Sequence, residues 1–246
     1  MIRYISMLLV IFLFLVLSIP LLIVEWIIGK WNPRFRDLSS LRIVQFMFKL
    51  LLWMAGTKVT VIGEENIPKD TPVLYIGNHR SLFDIPITYS RCPGLTGYVS
   101  KLGMGKVPIL NIWMKRLYCL FLDRSDIKAG LKMILTGIEQ INNGVSMCIF
   151  PEGTRNKGED ELALLPFKEG SFKMAEKTGC PIILMCLNNT AEIFETHFPK
   201  VRPTHVVLEY SKPVYPSELT KEERKFLGAY CEKQLLEIIT RNQKLV

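Results

Sequence analysis

The stretch "GNHRSLFDIP", Gly77 to Pro86, places a histidine five positions before an aspartate. Near neutral pH an imidazole can take a proton from a hydroxyl, and a neighbouring carboxylate can hold its tautomer and stabilise its cation. Spacing alone leaves a second reading open, in which Ser81 caps a helix with Asp84 three residues on and His79 is incidental. Pro86 weighs against it: a helix begun at Ser81 would carry the proline at its fifth position, where the ring crowds the preceding turn. A helix opening with Pro86 at its first position would leave Asp84 just outside, carboxylate free. Five positions along one helix turn a side chain by about 140°, so His79 and Asp84 meet only across a bend. His197 and His205 lack a carboxylate at comparable spacing and read as surface or core histidines.

Other segments offer groups suited to holding a substrate. "IFPEGTR", Ile149 to Arg155, leaves an apolar run and turns through Pro151, Glu152 and Gly153. Glycine lets a backbone N–H approach a ligand closely, Arg155 supplies a fixed cation, and Glu152 is placed to orient that cation or accept a substrate hydroxyl. "CLFLDRSD" adds Arg124 after Asp123, a guanidinium able to grip phosphate with two hydrogen bonds. Lys101 in "VSKLGMGK" and Lys168 in "FKEGSF" are further cations for an anionic group. The chain contains no GxSxG elbow, no phosphate-binding P-loop and no GxGxxG fingerprint, which removes the main support for serine hydrolase, ATPase and dinucleotide-binding readings.

From Lys58 onward, short β-rich runs ("KVTVIG", "TPVLYIG", "TGYVS", "LYCLFL", "VSMCIF", "PIILMCL", "THVVLEYS") alternate with helical stretches near 85–89, 107–116, 126–142, 168–177 and 217–243. This alternation predicts an α/β domain, a largely parallel sheet covered by helices, with ligands at the strand ends. Tyr4 to Val24 carries no charge and is long enough to cross a bilayer. It has no cleavage pattern after it, which argues against a removed signal peptide. In "LRIVQFMFKLLLWMA", Leu41 to Ala55, the residues Arg42, Gln45 and Lys49 form a narrow polar stripe, expected to lie at a membrane interface with the cations reaching the headgroups. The expected organisation is a two-helix membrane anchor over 1–57 and the α/β domain over 58–246.

Charge and cysteine usage agree with that division. Residues 1–60 hold seven Lys or Arg against Glu25 and Asp37, most of the chain's net +8, beside its most apolar segment. That placement fits an anionic lipid surface. No basic run or recognised motif supports nucleic acid as a partner. Six cysteines, without a CxxC pair or zinc spacing, read as buried thiols in a reducing compartment.

Asn78-His79-Arg80-Ser81-Leu82-Phe83-Asp84 resembles the NHxSxxD, or HxxxxD, motif of the glycerolipid acyltransferase family. Its companions follow in the order that family shows. "CLFLDRSD" resembles the second block, with Leu117-Tyr118 where a glycine is commoner; "IFPEGTR" resembles the third; Cys180-Pro181-Ile182-Ile183 resembles the apolar fourth, read as scaffold or acyl-chain wall. The blocks span Gly77 to Ile183. The resemblance implies direct acyl transfer from a thioester of coenzyme A or acyl carrier protein, with no metal or other cofactor. His79 would be the base, oriented by Asp84; Arg124, Glu152, Gly153, Arg155, Lys101 and Lys168 would bind substrate. The chain looks most like the members that convert lysophosphatidic acid to phosphatidic acid, on a membrane with the catalytic domain in the cytoplasm (the inner or cell membrane in a bacterium). Glycerol 3-phosphate or another lysophospholipid is the alternative acceptor. A non-catalytic protein binding anionic lipid is the alternative of another class.

Overall fold

The computed structural model describes residues 1–123 and 126–246; the expected phosphate ligand Arg124 lies outside the described residues. Two long helices come first, α1 (Ile2–Trp31) and α2 (Pro33–Ala55). Asn32 divides them: its side chain accepts a hydrogen bond from the Phe35 N–H at 2.9 Å, and Pro33 follows at the first helical position, where a missing N–H costs nothing. Both helices are long and apolar enough to cross a membrane.

Seven strands then form one sheet: β1 (Lys58–Ile62), β2 (Leu74–Gly77), β3 (Thr96–Lys101), β4 (Leu120–Leu122), β5 (Ser146–Ile149), β6 (Ile182–Asn188) and β7 (His205–Tyr210). Their order is β1-β7-β6-β2-β5-β3-β4, parallel throughout except for β6 against β7. The expected largely parallel sheet is therefore present. Its central strands are apolar at consecutive positions because both faces are covered, and all seven residues of β6 are buried. On one face the core joins Tyr75, Cys148, Ile183 and Met185 to Met7 of α1, Leu41, Leu51 and Leu52 of α2, and Ile87 of α3 (Asp84–Tyr89). On the other, Ile76, Met147 and Leu184 pack with α5 (Ile127–Asn142), α6 (Lys173–Thr178) and α8 (Leu227–Asn242). Two shorter helices, α4 (Leu110–Arg116) and α7 (Lys221–Lys225), complete the set of α-helices among the described residues.

At Gln45 the polar stripe on α2 turns into the domain rather than outward. Gln45 is buried and donates to the carbonyls of Tyr89 at 3.2 Å and Cys92 at 2.8 Å, while Arg42 donates to the Gln45 side chain at 2.7 Å. The last carbonyls of a helix have no partner within it, and Gln45 reaches that of Tyr89 at the end of α3 and that of Cys92 in the turn beyond it. Gln45 thus ties α2 to the domain with Arg42 bonded to it, while Arg42 and Lys49 both remain exposed.

Helix α1 also lies along the domain. Tyr4 stacks on Phe194 at 5.1 Å, the Trp113 indole donates to Ser18 at 3.0 Å, and Arg116 donates to the Leu22 carbonyl at 2.8 Å.

Candidate active site

Strands β2, β5, β3 and β4 run side by side in one direction, so the loops after them emerge along one edge of the sheet. His79 follows the end of β2, Glu152 and Gly153 follow β5, and Lys101 ends β3. Ile76 pairs with Ile149, which sets the first two loops directly beside each other. This is the strand-end crevice where ligands gather in such sheets.

His79 and Asp84 are partners. Nδ1 of His79 lies 2.7 Å from Oδ2 of Asp84, whose side chain is fully buried, while 17% of the histidine side chain stays exposed. The bend that permits this is a turn over residues 80–83, closed by the same oxygen: Oδ2 also accepts the backbone N–H groups of Arg80 and Ser81, each at 2.8 Å. The capping reading does not hold: the residue before the helix is Phe83, without a side-chain cap bond, although the Ser81 hydroxyl accepts from Phe83 N–H at 3.0 Å and Asp84 accepts from Ser81 N–H. Helix α3 begins at Asp84, not at Pro86. Pro86 is tolerated there because the first N–H groups of a helix have no internal acceptor. The ring of Phe150 stacks on the imidazole at 4.4 Å. Gly77 makes room for it, since a Cβ there would stand 3.0 Å from the Phe150 ring and 3.2 Å from the Met185 carbonyl. Nε2 of His79 has no hydrogen-bond partner among the described residues.

Glu152 does not bond Arg155 in this structure. Its buried carboxylate accepts the backbone N–H of His79 at 2.7 Å and that of Leu165 at 3.1 Å. Burial pushes its pKa up, opposed by those two hydrogen bonds. Asn156 N–H donates to the His79 carbonyl at 2.7 Å, so both backbone groups of His79 are held by the loop after β5. Arg155 pairs instead with Glu195, at 2.9 Å, and 34% of the arginine side chain remains exposed. Glu195 also accepts from Leu82 N–H at 2.7 Å and the Ser81 hydroxyl at 2.6 Å, which makes it the hub between Arg155 and the His79 loop. Sequence reasoning missed Glu195, because it stands more than a hundred residues from Ser81 and in no motif. Arg80, at a position the motif leaves unspecified, is buried and donates to the carbonyls of Asp160 at 3.0 Å and Gly158 at 2.5 Å.

Gly153 takes φ +73°, the left-handed region that favours glycine, and a Cβ there would meet the Lys168 ammonium at 2.7 Å. Lys168 therefore stands over the Pro151–Gly153 turn, while Lys101 is exposed at the end of β3. Cys180 to Ile183 lead into the buried centre of the sheet and act as scaffold; none of them lines the cavity described next. His197 does have a carboxylate at comparable spacing, contrary to expectation: Nε2 lies 3.0 Å from Glu192, five residues earlier. That pair is on the surface. His205 bonds Thr60 at 2.8 Å.

An apolar cavity of about 440 Å³ lies between the first two helices and the domain. Leu82, Phe83, Ile85 and Pro86 line it on the catalytic-loop side, with Met7, Leu8 and Phe14 of α1 and Met47 and Leu51 of α2 opposite. Neither His79 nor Asp84 lines it. Its size is that of a small-molecule site.

A family model described as Acyltransferase matches residues 58–188, more than half of the chain. The chain belongs to the acyltransferase family. It is 37% identical over 157 residues to the 1-acyl-sn-glycerol-3-phosphate acyltransferase of Borreliella burgdorferi, covering 63% of this chain and 61% of that one. The enzyme of that name from Saccharomyces cerevisiae is 30% identical over 76% of this chain and 60% of its own length, so the match spans about three fifths of both relatives. A fuller match is the Haemophilus influenzae enzyme of the same name, 32% identical over 83% of this chain and 85% of that protein. The crystal structure of the 1-acyl-sn-glycerophosphate (LPA) acyltransferase PlsC from Thermotoga maritima superposes with a TM-score of 0.80 across the whole chain at 22% identity. The chain therefore has the fold of that structure, its two N-terminal apolar helices included.

Proposed function

We propose that the protein transfers a fatty acyl group from an acyl thioester to the free hydroxyl of lysophosphatidic acid, forming phosphatidic acid. One observation carries the chemistry: the 2.7 Å bond between His79 Nδ1 and the buried Asp84. It directs the proton on the ring to Nδ1 and leaves Nε2 as an acceptor toward the crevice. His79 takes the hydroxyl proton as the oxygen attacks the thioester carbonyl. The carbon–sulfur bond then breaks, and the leaving sulfur takes the proton from the imidazolium. Asp84 stabilises the cation in between. The reaction needs no nucleophile from the protein because the thioester is already activated.

The acceptor's phosphate is assigned to Arg155 and Lys168, with Lys101 on the same edge of the sheet at the end of β3; Arg124 is assigned to it by the motif resemblance alone. The apolar cavity beside Leu82 and Phe83 is assigned to an acyl chain. A bilayer supplies the lysolipid, water the donor carried by coenzyme A or acyl carrier protein. All six cysteines are free, five of them buried, which suits a catalytic domain on the cytoplasmic side.

The test is acyl transfer by detergent-solubilised protein, wild type beside His79→Ala, given an acyl thioester with lysophosphatidic acid or glycerol 3-phosphate. Phosphatidic acid from the lysolipid alone, and from wild type alone, is the expected result. Turnover with glycerol 3-phosphate only would replace the acceptor; undiminished turnover in His79→Ala would overturn the mechanism.

A further inference from the structure

The chain's positive charge sits on two segments. Residues 1–60 carry seven Lys or Arg against two acids, and residues 101–135 carry seven against Asp123 and Asp126; the remaining 151 residues hold seventeen against nineteen. Each of the two segments is thus +5 and everything else is −2. Within the second, residues 101–122 contain Lys101, Lys106, Lys115 and Arg116 and no acid.

This stretch forms a 3₁₀ turn, Leu102–Lys106, and then α4. Its apolar residues fall into two sets, with Met104 in both. Leu110, Trp113 and Met114 face inward on the cavity between the anchor and the domain. Leu102, Val107 and Ile112 do not line that cavity and are exposed, Val107 by 37% and Ile112 by 43%, among the exposed ammonium groups of Lys106 and Lys115. The outer set contributes nothing to the core, yet it is apolar. Its surroundings name the occupant. Helix α4 docks on the middle of α1, through Trp113 to Ser18 and Phe14 and through Arg116 to Leu22, and α1 on either side of that contact exposes Phe12, Leu13, Val16, Leu17 and Ile19. A lipid surface that receives these α1 residues lies against the neighbouring segment as well.

We propose that Lys101–Arg116 is a second lipid-contact surface, in which Leu102, Val107 and Ile112 enter the headgroup boundary while Lys106 and Lys115 pair with anionic lipid. This is how a basic amphipathic segment lies in an interface. It rests on the reading of the protein as an enzyme of membrane lipids, and it extends that reading by placing the bilayer surface beside β3 and the cavity. The bilayer approaches the domain from two sides of α1, with the crevice mouth held against it.

The test uses the full chain with single cysteines introduced at Val107, Ile112 and, as a distant control, the exposed Glu222 on α7. Each is labelled with a bimane fluorophore, with the background from native cysteines subtracted, and reconstituted in vesicles containing phosphatidylglycerol and a shallow nitroxide-labelled lipid. Circular dichroism confirms that each variant is folded. Quenching at 107 and 112 several-fold above that at 222 is expected. It should weaken in phosphatidylcholine-only vesicles and in Lys106→Glu/Lys115→Glu, since each cation changes partitioning by about five-fold. Quenching at 107 and 112 no greater than at 222 would overturn the proposal. So would labels that lipid leaves untouched but an acidic acyl carrier protein shields, which would make the segment a protein-docking surface. Quenching requires no turnover, so a wrong acceptor under the proposed function would leave this result intact.

Discussion

At the scale of single residues, the site is a hydrogen-bonded relay in which nearly every side chain acts on His79. Positioned general-base catalysis contributes about 10² to 10⁴ in rate, so His79→Ala should lose that much kcat. Asp84→Asn keeps an oxygen for the Arg80 and Ser81 N–H groups but removes the charge facing Nδ1. It should lose a similar factor, and the double variant should be no slower than His79→Ala alone, because the two residues act as one unit. Independent, multiplying losses in steady-state kinetics would refute the pairing. Glu152 gives a prediction of another kind. Its folded-state pKa is raised above the ordinary 4.5 by burial, so this group favours the fold at pH below its unfolded value, and that preference is lost as pH climbs through the raised value. In Glu152→Gln, thermal melts across pH 4 to 8 should lack this contribution, while the new amide N–H pointing at His79 or Leu165 N–H lowers stability by about 1–3 kcal/mol. A melting profile with unchanged pH dependence would mean the carboxylate is solvated. His79, Asp84, Gly153 and Arg155 stood out in the sequence because their types and spacing declare chemistry. The bracing roles of Glu152 and Glu195 did not, because a carboxylate that accepts backbone N–H groups leaves no pattern in side-chain types.

At the scale of elements, Tyr118 shows how the anchor reaches the sheet. It adopts φ +59°, a left-handed conformation costing a non-glycine residue about 1–2 kcal/mol. What offsets that cost is its hydroxyl, which donates to Asp37 of α2 at 2.5 Å, with Arg36 on the same carboxylate at 2.7 Å. Burial, followed by the Asp37 carboxylate, pushes the Tyr118 pKa up to about 12, so the phenol remains a donor over any working pH. Tyr118 enters β4, the strand that leads to Arg124. Tyr118→Phe keeps the strain and loses a bond to a charged group, which is worth about 1.5–3 kcal/mol. The expected outcome is a lower melting temperature and a KM for the phosphate-bearing acceptor that rises more than kcat falls. A fall confined to kcat would place Tyr118 in the chemical step. The central strands β2, β5 and β6 were legible as apolar runs because both faces of the sheet are covered there. Helix α2 was misread at Gln45 for the opposite reason: a lone glutamine in an apolar helix looks alike whether it caps a neighbouring helix or faces headgroups.

At the scale of the whole molecule, the first two helices serve the fold as well as the membrane. Leu41, Leu51 and Leu52 of α2 are buried in one cluster with Val73, Tyr75, Ile183 and Met185 of the sheet and its flanks. Fully burying a leucine contributes about 1.5–3 kcal/mol, so these three together match much of the 5–15 kcal/mol that holds a typical domain folded. Length and apolar content revealed the helices, but a face turned to lipid and a face turned to a core use the same residues, which hid the shared packing. A chain starting at Lys58 should therefore not be a soluble, active domain. It exposes one face of the sheet and leaves the Tyr89 and Cys92 carbonyls without Gln45. Gel filtration should find it aggregated, and near-UV circular dichroism should show weakened fixed aromatic packing. A chain lacking only residues 2–31 retains α2 and should keep a cooperative thermal transition in detergent while its capture by vesicles weakens, since α1 exposes more large apolar side chains than any other element. A monomeric, sharply melting 58–246 fragment would show that α2 lies on the core without supporting it. The same fragment, inactive only because its cavity has lost one wall, would shift the role of both helices from folding to substrate binding.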